Sequence, residues 1–176
     1  MSDHEIVTDK YVVKLVETDI DVNQVLATVS DPTCGAISLF LGQTRRTESD
    51  DQTDRRVESL VYEAYHSMAL KEMQAIVERH IGKHEVNAVH KCVVVHRLGQ
   101  VLVGQTSIAI ACSSPHRTHG HQLVMDVLND IKRSVPIWKR IDYYEDSDHN
   151  SHRQQQQTTT SYGEWSHKSE AFWLNK

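Results

Sequence analysis

The sequence predicts an α+β domain with a largely antiparallel sheet and about three helices. Apolar residues recur with a period of two in some segments and of about 3.6 in others, as strands and amphipathic helices require. Glycines and prolines stand between these segments, where they permit turns and end helices. The chain has 176 residues, of which 39% are hydrophobic, and a chain of this length commonly folds around one core.

The first part of the chain predicts a strand, a helix and a strand. The stretch "YVVKLVET" (11–18) alternates as a strand does, and "CGAISLFLGQTR" (34–45) is a second strand that begins beside a glycine. Between them, "DVNQVLATVSD" (21–31) starts with an acid suited to cap a helix and places its valines and leucine along one face. A polar stretch follows the second strand.

The middle of the chain predicts another strand, a longer helix and a pair of strands. The strand is "VESLVYEAY" (57–65), and the helix is "HSMALKEMQAIVERHIG" (66–82). The segments "VNAVHKCVVVHRLG" (86–99) and "VLVGQTSIAIACSS" (101–114) are rich in β-branched residues, which predicts two antiparallel strands joined near Gly99 and packed on both faces. The helix is expected to place most of its larger apolar residues on its inner side; they are Met68, Leu70, Met73, Ile76, Val77 and Ile81.

A proline-bounded helix and one more strand complete the domain. Ser114-Pro115 is expected to open the helix, because proline is tolerated in a first turn, and Pro136 is expected to end it. The stretch "PIWKRIDYYED" (136–146) then resumes as a strand. We assign residues 1–146 to this single domain.

The C-terminal region departs from the pattern. Residues 147–163, "SDHNSHRQQQQTTTSYG", are rich in glutamine and threonine and have almost no apolar content. Such a segment buries too little surface to offset its ordering entropy, so we expect a disordered insertion. Residues 164–176 contain Trp165, Phe172 and Trp173, which are large enough to dock on the domain or on a partner.

Charge and composition exclude several classes of protein. Residues 1–31 hold seven acids and two lysines and so account for the whole formal charge of −5. The sequence pI of about 6.2 disfavours a nucleic-acid binder, whose domain pI usually exceeds about 9. No apolar run reaches the roughly 18 residues of a membrane span, and the N-terminus lacks a signal-peptide pattern. We expect a cytosolic protein with no membrane partner.

One cationic segment stands out against this acidic background. The stretch "IKRSVPIWKR" (131–140) holds Lys132, Arg133, Lys139 and Arg140 and no acid, which indicates a small anionic ligand. A chain reversal at Pro136 would aim Lys132 and Lys139 into one pocket, where two amines could act as acid, base or covalent anchor. Alternatively, Lys132 only complements the dipole of its helix and Lys139 only faces water.

Two further groups of cations are candidates for anion binding. His116 and Arg117 stand in the first turn of a predicted helix, where free backbone N–H groups attract anions. Arg45 and Arg46 follow the second strand, and loop arginines often bind phosphate. The alternative in each case is an exposed, solvated side chain.

The spacing of the histidines and cysteines favours neither a metal site nor cysteine chemistry. The 12 histidines include "HRTHGH", which lacks the i, i+4 pairing of a helical zinc site. The three cysteines show no C-x-x-C spacing. Cys92 and Cys112 lie in apolar strands and are expected in the core, whereas Cys34 lies at a strand edge and is harder to assign. We predict neither a metal site nor a cofactor.

Taken together, four segments resemble the large, catalytic subunit of molybdopterin synthase, in the same order and with similar spacing. They are "CGAISLFLGQTR", "LVYEAYHSMALKEM", "VVVHRLGQVLVGQTSIAIACSSPHR" and "LNDIKRSVPIWKRI". The most specific feature is "SSPHR" followed about twenty residues later by "VPIWK". The resemblance covers about residues 34–146, and it implies the α/β-hammerhead-like fold of that subunit.

The resemblance also implies a reaction, partners and site residues. The family moves sulfur from the Gly-Gly thiocarboxylate of a small ubiquitin-like carrier onto cyclic pyranopterin monophosphate and so makes the dithiolene of molybdopterin. Its large subunit forms a homodimer within a 2+2 heterotetramer. By matched motif, Lys132 and Lys139 are expected to be catalytic. The expected substrate-binding residues are Arg45, His116, Arg117, Phe40 and Arg140.

Three hypotheses follow from the sequence, of which the weakest is an unrelated phosphate-ligand protein that binds the substrate without any carrier. The first is a sulfurtransferase, which needs no cysteine of its own because the carrier brings the sulfur. The second is a scaffold that retains the dimer and the carrier-binding groove without turnover. Retention of both lysines and of the His-Arg pair favours the enzyme.

Overall fold

The computed structural model describes residues 4–47, 55–85, 88–144 and 162–165. Within them the chain forms nine strands and three helices, and none of these helices combines the length and apolar character that crossing a membrane requires. The predicted α+β class is confirmed. In chain order the elements are β1 (His4–Val7), β2 (Tyr11–Val16), α1 (Val22–Val29), β3 (Ala36–Gln43), β4 (Val57–Ala64), α2 (His66–Ile81), β5 (Lys91–Arg97), β6 (Gly99–Leu102), β7 (Thr106–Ser114), α3 (Arg117–Ser134), β8 (Ile137–Tyr143) and β9 (Tyr162–Trp165).

The strands form two sheets. The first has five strands in the order β1-β2-β5-β7-β3, and the second has four in the order β6-β4-β8-β9. Neighbouring strands are antiparallel except β2 and β5, which run parallel. The mostly antiparallel character is therefore confirmed, and the division into two sheets is a feature that periodicity alone does not reveal.

The chain around Gly99, predicted to join two strands, itself forms a third strand. β5 and β7 are antiparallel neighbours, as expected, but β6 lies between them in sequence and pairs with β4 of the other sheet. Gly99 and Gly104 flank β6 with φ angles of 75° and 85°. Because glycine adopts positive φ without steric cost, the chain can leave one sheet and return to it within a few residues.

The helix ends follow local chemistry. Asp21 caps α1, since its carboxylate accepts the N–H groups of Asn23 and Gln24 at 2.9 and 3.1 Å. α3 begins at Arg117, two residues after Pro115, because Ser114 still belongs to β7 and His116 occupies the cap position. It ends at Ser134, two residues before Pro136, as the prediction required.

The helices cover both faces of the five-stranded sheet. α2 and α3 share one buried cluster with the β2, β5 and β7 residues of one face, and α1 covers the opposite face of β5 and β7. β5 and β7 are therefore buried on both sides, as their β-branched composition predicted.

Met68 is an exception to the predicted apolar face of α2. Its side chain is 54% exposed, because it lies off the helix face that carries Leu70, Met73 and Val77.

Close contact fixes the position of α3 on its sheet. A Cβ atom at Gly120 would lie 2.7 Å from Ser38 Oγ and 2.8 Å from Ser114 Oγ. Distances that short are not tolerated between side-chain atoms, so glycine is what permits α3 to approach β3 and β7 this closely. Gly120 lies in the first turn of α3, whereas buried Leu128 and Ile131 hold the end of the helix that precedes Pro136.

The C-terminal segment contributes the edge strand of the second sheet. β9 pairs with β8 from Tyr143↔Tyr162 to Arg140↔Trp165. It begins at Tyr162, two residues before the point at which order was expected to return. The remaining part of the predicted insertion, 147–161, and the tail, 166–176, lie outside the described residues.

Candidate active site

A cavity of about 560 Å³ lies where the two sheets meet the C-terminal end of α3. Its walls come from β3, β4, β5, β7, β8 and α3, so its shape depends on the whole domain rather than on one loop. Lys132 and Lys139 both line it. The sequence expectation that these two residues share one cavity agrees with the geometry.

The chain reversal between α3 and β8 brings the two lysines together. The Val135 N–H closes the last turn of α3 on the carbonyl of Ile131 at 3.1 Å, and the Ile137 N–H then bonds the carbonyl of Val135 at 2.8 Å. Pro136 stands at the bend, where its carbonyl accepts the N–H of Tyr65 at 3.4 Å. The last turn of the helix and the first residues of the strand therefore face the same space.

Strand pairing fixes where Lys139 lies on its sheet. Tyr62 of β4 is directly opposite Lys139 in the antiparallel register, and both residues line the cavity. The Tyr62 ring meets the imidazole of His96 edge to face, with ring centroids 5.0 Å apart. Lys139, Tyr62 and His96 thus all line the cavity, the first two from the four-stranded sheet and His96 from the five-stranded sheet.

Arg45 lines the cavity beyond the end of β3, where the preceding residue is firmly anchored. Buried Thr44 exchanges backbone hydrogen bonds with the turn between β6 and β7, through Gln105 at 3.1 Å and Gly104 at 2.9 Å. Its hydroxyl also donates to the carbonyl of Val101 at 3.2 Å. Phe40, on the same strand, lines the cavity as well, so two of the expected substrate-binding residues lie beside the lysines.

His96 is a cavity residue that the sequence analysis missed. It is buried at 7% exposure, and its Nδ1 lies 2.8 Å from the carbonyl oxygen of Arg97, so Nδ1 carries the proton and Nε2 does not. Burial lowers the pKa of His96 from 6.5 to about 4, although the hydrogen bond to Arg97 opposes this shift. The one sequence signal was a polar residue at the end of the apolar run in "CVVVH" (92–96).

His116 and Arg117 do not line this cavity. They are exposed at the start of α3, and Lys132 lies in its last turn. Fifteen residues separate Arg117 from Lys132, which corresponds to roughly 22 Å along a helix that rises about 1.5 Å per residue. Within one chain, the two cationic groups predicted to share a ligand are at opposite ends of α3.

Arg140 lies on the opposite face of the second sheet from Lys139, because successive strand residues point to opposite sides. Its guanidinium donates to the carboxylate of Asp142, with Nε 3.0 Å from Oδ1 and Nη2 3.5 Å from Oδ2. It is absent from the cavity lining. The expectation that Arg140 shares the site of Lys139 therefore disagrees with the structure.

The electrostatics of the cavity favour an anion. Lys132, Lys139 and Arg45 supply positive charge, and no carboxylate occurs among the described residues of its lining. No cysteine lines it either: Cys34 is elsewhere, and burial raises the pKa of Cys112 to about 12 and that of Cys92 well above its usual value. The arrangement suits binding of a negatively charged molecule and proton transfer, but not a cysteine nucleophile from the described part of the chain.

Comparisons with known proteins agree on one family. A family model described as MoaE protein matches residues 15–134. A molybdopterin synthase catalytic subunit of Taeniopygia guttata is 37% identical over 163 residues, covering 93% of this chain and 91% of its own length. One of Drosophila sechellia is 43% identical over 136 residues, covering 77% of this chain but 35% of its own length. The chain thus spans about a third of the length of the Drosophila relatives it matches.

Two solved structures share the fold. Molybdopterin synthase from Staphylococcus aureus superposes with a TM-score of 0.67 at 28% identity, covering 78% of this chain and 96% of that one. A chain of the complex of subunits 1 and 2 of molybdopterin-converting factor from Helicobacter pylori superposes with a TM-score of 0.57 at 21% identity, covering 73% of this chain and 83% of that one.

The pKa of His96 predicts a pH-dependent stability. Because that pKa is lowered to about 4 by folding, the unfolded chain takes up this proton first as the pH falls. The stability that neutral His96 contributes is complete above pH 6.5 and is lost as the pH falls toward 4, by up to about 3 kcal/mol.

Urea unfolding of the wild type and of His96→Gln across this pH range measures the effect. We expect a shallower loss of the free energy of unfolding in the variant, since glutamine does not titrate. Other groups, including His84, whose pKa is also lowered by burial, remain in both proteins. Equal slopes in the two proteins would contradict the assignment.

Proposed function

The chain belongs to the MoaE protein family, and on that premise we propose that it acts as the catalytic subunit of a molybdopterin synthase. In this proposal it is a sulfurtransferase. It moves sulfur from the thiocarboxylate of a small carrier subunit onto cyclic pyranopterin monophosphate, forming the dithiolene of molybdopterin. The observation that carries the proposal is the placement of Lys132 and Lys139 in one cation-lined cavity.

The cavity suits the proposed substrate in size and in charge. Its volume of about 560 Å³ lies within the range of roughly 300–1,000 Å³ that small-molecule sites occupy. A pterin offers a flat ring for Phe40 and Tyr62, and its phosphate offers negative charge for Arg45 and the lysines. These contacts would hold the substrate against the wall that carries Lys139.

The absence of a cysteine from the described cavity lining fits a reaction in which a partner supplies the sulfur. A thiocarboxylate is already a sulfur nucleophile, so the chain needs to bind, orient and exchange protons. The carrier is proposed to be a small ubiquitin-like subunit whose Gly-Gly terminus enters the cavity. The two-subunit complex of the Helicobacter pylori neighbour supports such a pairing.

The two lysines differ in environment, which suggests different roles. Lys139 is half-buried on β8 opposite Tyr62, and Lys132 is exposed on the last turn of α3. We assign acid–base chemistry or transient attachment of the intermediate to Lys139. We assign stabilisation of developing negative charge, or proton transfer at the rim, to Lys132.

His116 and Arg117 can join the same site only if a second copy of the chain supplies them. They lie roughly 22 Å from Lys132 along α3, by the rise of about 1.5 Å per residue. In a two-fold symmetric homodimer, an α3 N-terminus of one copy can face the cavity of the other. We therefore propose a homodimer, within a 2+2 heterotetramer, in which each cavity is completed by the partner's His-Arg pair.

Removing the Lys139 amine tests the catalytic assignment. With thiocarboxylated carrier and cyclic substrate, we expect Lys139→Ala to lower molybdopterin formation by on the order of a hundredfold or more, as loss of a general acid–base group does. Carrier binding should be retained. Lys132→Ala should lower the rate as well.

Arg133→Ala is the matched control. Arg133 is a neighbouring cation of the same helix turn, but its side chain is 69% exposed and paired with Asp130 at 3.2 Å, and it does not line the cavity. Its removal should leave the rate unchanged. Full activity in Lys139→Ala would refute the assignment. Carrier binding without turnover in the wild type would instead favour the scaffold hypothesis.

Mixed dimers test whether the His-Arg pair acts across the dimer. Lys139→Ala and Arg117→Ala chains, each inactive alone, are co-expressed with different tags, and the mixed dimer is purified. If Arg117 acts in trans, one of the two cavities is fully wild type, so the mixed dimer should regain about half of the wild-type activity. If Arg117 acts in its own chain, both cavities stay defective, and no recovery would contradict the proposal.

A further inference from the structure

Away from the cavity, three side chains with metal-ligand atoms come together before β3 and β5. Asp31 and Cys34 stand at the two ends of the turn that precedes β3, and His90 directly precedes β5. Each offers one ligand atom, and the three atoms lie within 4.8 Å of one another. We propose that Asp31, Cys34 and His90 form a zinc-binding site.

The donor set selects the type of metal. A thiolate, an imidazole and a carboxylate are the three ligand types that zinc accepts in proteins, whereas magnesium and calcium prefer oxygen ligands alone. Three protein ligands leave one tetrahedral position for water. The residues are partly exposed, so an ion and its water can reach them.

The spacing of the donors is compatible with a tetrahedral ion. Asp31 Oδ2 lies 3.3 Å from His90 Nε2. Two ligands bound to zinc at about 2.0–2.3 Å lie roughly 3.3–3.6 Å apart in tetrahedral geometry. The upper limit of 4.8 Å for the thiol therefore requires a small side-chain adjustment at most.

Hydrogen bonds hold the aspartate for this role. Asp31 Oδ1 accepts the N–H of Thr33 at 2.9 Å and also the Thr33 hydroxyl, while its other oxygen, Oδ2, is the one that faces His90. The Cys34 N–H bonds the carbonyl of Asp31 at 3.1 Å, and Pro32 occupies the second position of this turn, where its fixed φ is favoured. In known metal sites, a hydrogen bond of this kind to a ligating side chain fixes the orientation of that ligand.

A hydrogen bond and a close backbone contact hold the two sides of the cluster. The His90 N–H bonds the carbonyl of Ser113 in β7 at 2.9 Å. A Cβ at Gly35 would lie 2.9 Å from the carbonyl oxygen of Pro115, so the backbone next to Cys34 packs closely against the segment that leads into α3. Both sides of the cluster are thus fixed to the same end of β7.

An Asp31–His90 ion pair accounts for two members of the cluster but not for the thiol beside them. Within one chain, the site is also separate from the cavity. Cys34 precedes Phe40 by six residues, which corresponds to roughly 20 Å along an extended strand. The zinc is therefore expected to tie the turn before β3 to the start of β5, and its binding does not depend on the proposed sulfur transfer.

Cobalt titration of the metal-free full-length chain tests the site, because Co²⁺ substitutes for zinc and reports a thiolate ligand by a charge-transfer absorption. We expect one equivalent of Co²⁺ to bind with this absorption and to be displaced by Zn²⁺. Cys34→Ser should abolish the absorption. His90→Gln and Asp31→Asn should each weaken Co²⁺ binding by tenfold or more, and Thr33→Val by about tenfold.

His121→Gln is the control for adventitious binding by one of the chain's 12 histidines, since His121 is exposed on α3 outside the cluster; it should bind Co²⁺ as the wild type does. Zn²⁺ should also raise the unfolding temperature of the wild type and of His121→Gln, as a ligand of the folded state does. A wild-type spectrum without the thiolate absorption would overturn the proposal, whatever the variants do. Persistence of that absorption in Cys34→Ser would overturn it too.

Discussion

The bend at Val135 and Pro136 is the constraint on which the candidate site depends. Proline ends α3 because it lacks an N–H donor and disfavours a helical residue before it, and pairing with β4 then directs β8 back along the cavity. Packing of Gly120 against β3 and β7 fixes the helix. Lys132 and Lys139, which are seven residues apart in sequence, therefore line one cavity.

The cavity concentrates positive charge in a chain whose formal net charge is −5. Arg45, Lys132 and Lys139 line it with no carboxylate among the described lining residues, whereas Arg140, one residue away, is matched by Asp142 on the other face. His96 adds no charge near neutral pH, because burial keeps it unprotonated. A bound anion would balance this charge, as both the proposed phosphorylated substrate and the proposed thiocarboxylate carrier would.

Local signals in the sequence were enough to predict the helices and most strands, because caps, prolines and periodicity act over a few residues. The transfer of β6 to the second sheet was not predictable, since it depends on long-range pairing and on two glycines with positive φ. At the site, the alternation of side chains along a strand was enough to predict that Arg140 and Lys139 lie on opposite faces of their sheet. His96 could not have been assigned, because its burial depends on neighbours distant in sequence, and the same holds for the meeting of His90 with Asp31 and Cys34.

A crystal structure of the chain with the cyclic pterin phosphate bound is the most direct test that the two lysines form one functional site. The account predicts the substrate in the cavity between the sheets and α3, with Lys132 and Lys139 amines both within hydrogen-bonding distance of it and Arg45 near its phosphate. A substrate bound elsewhere on the domain, or amines directed to opposite sides of the molecule in every copy, would contradict it.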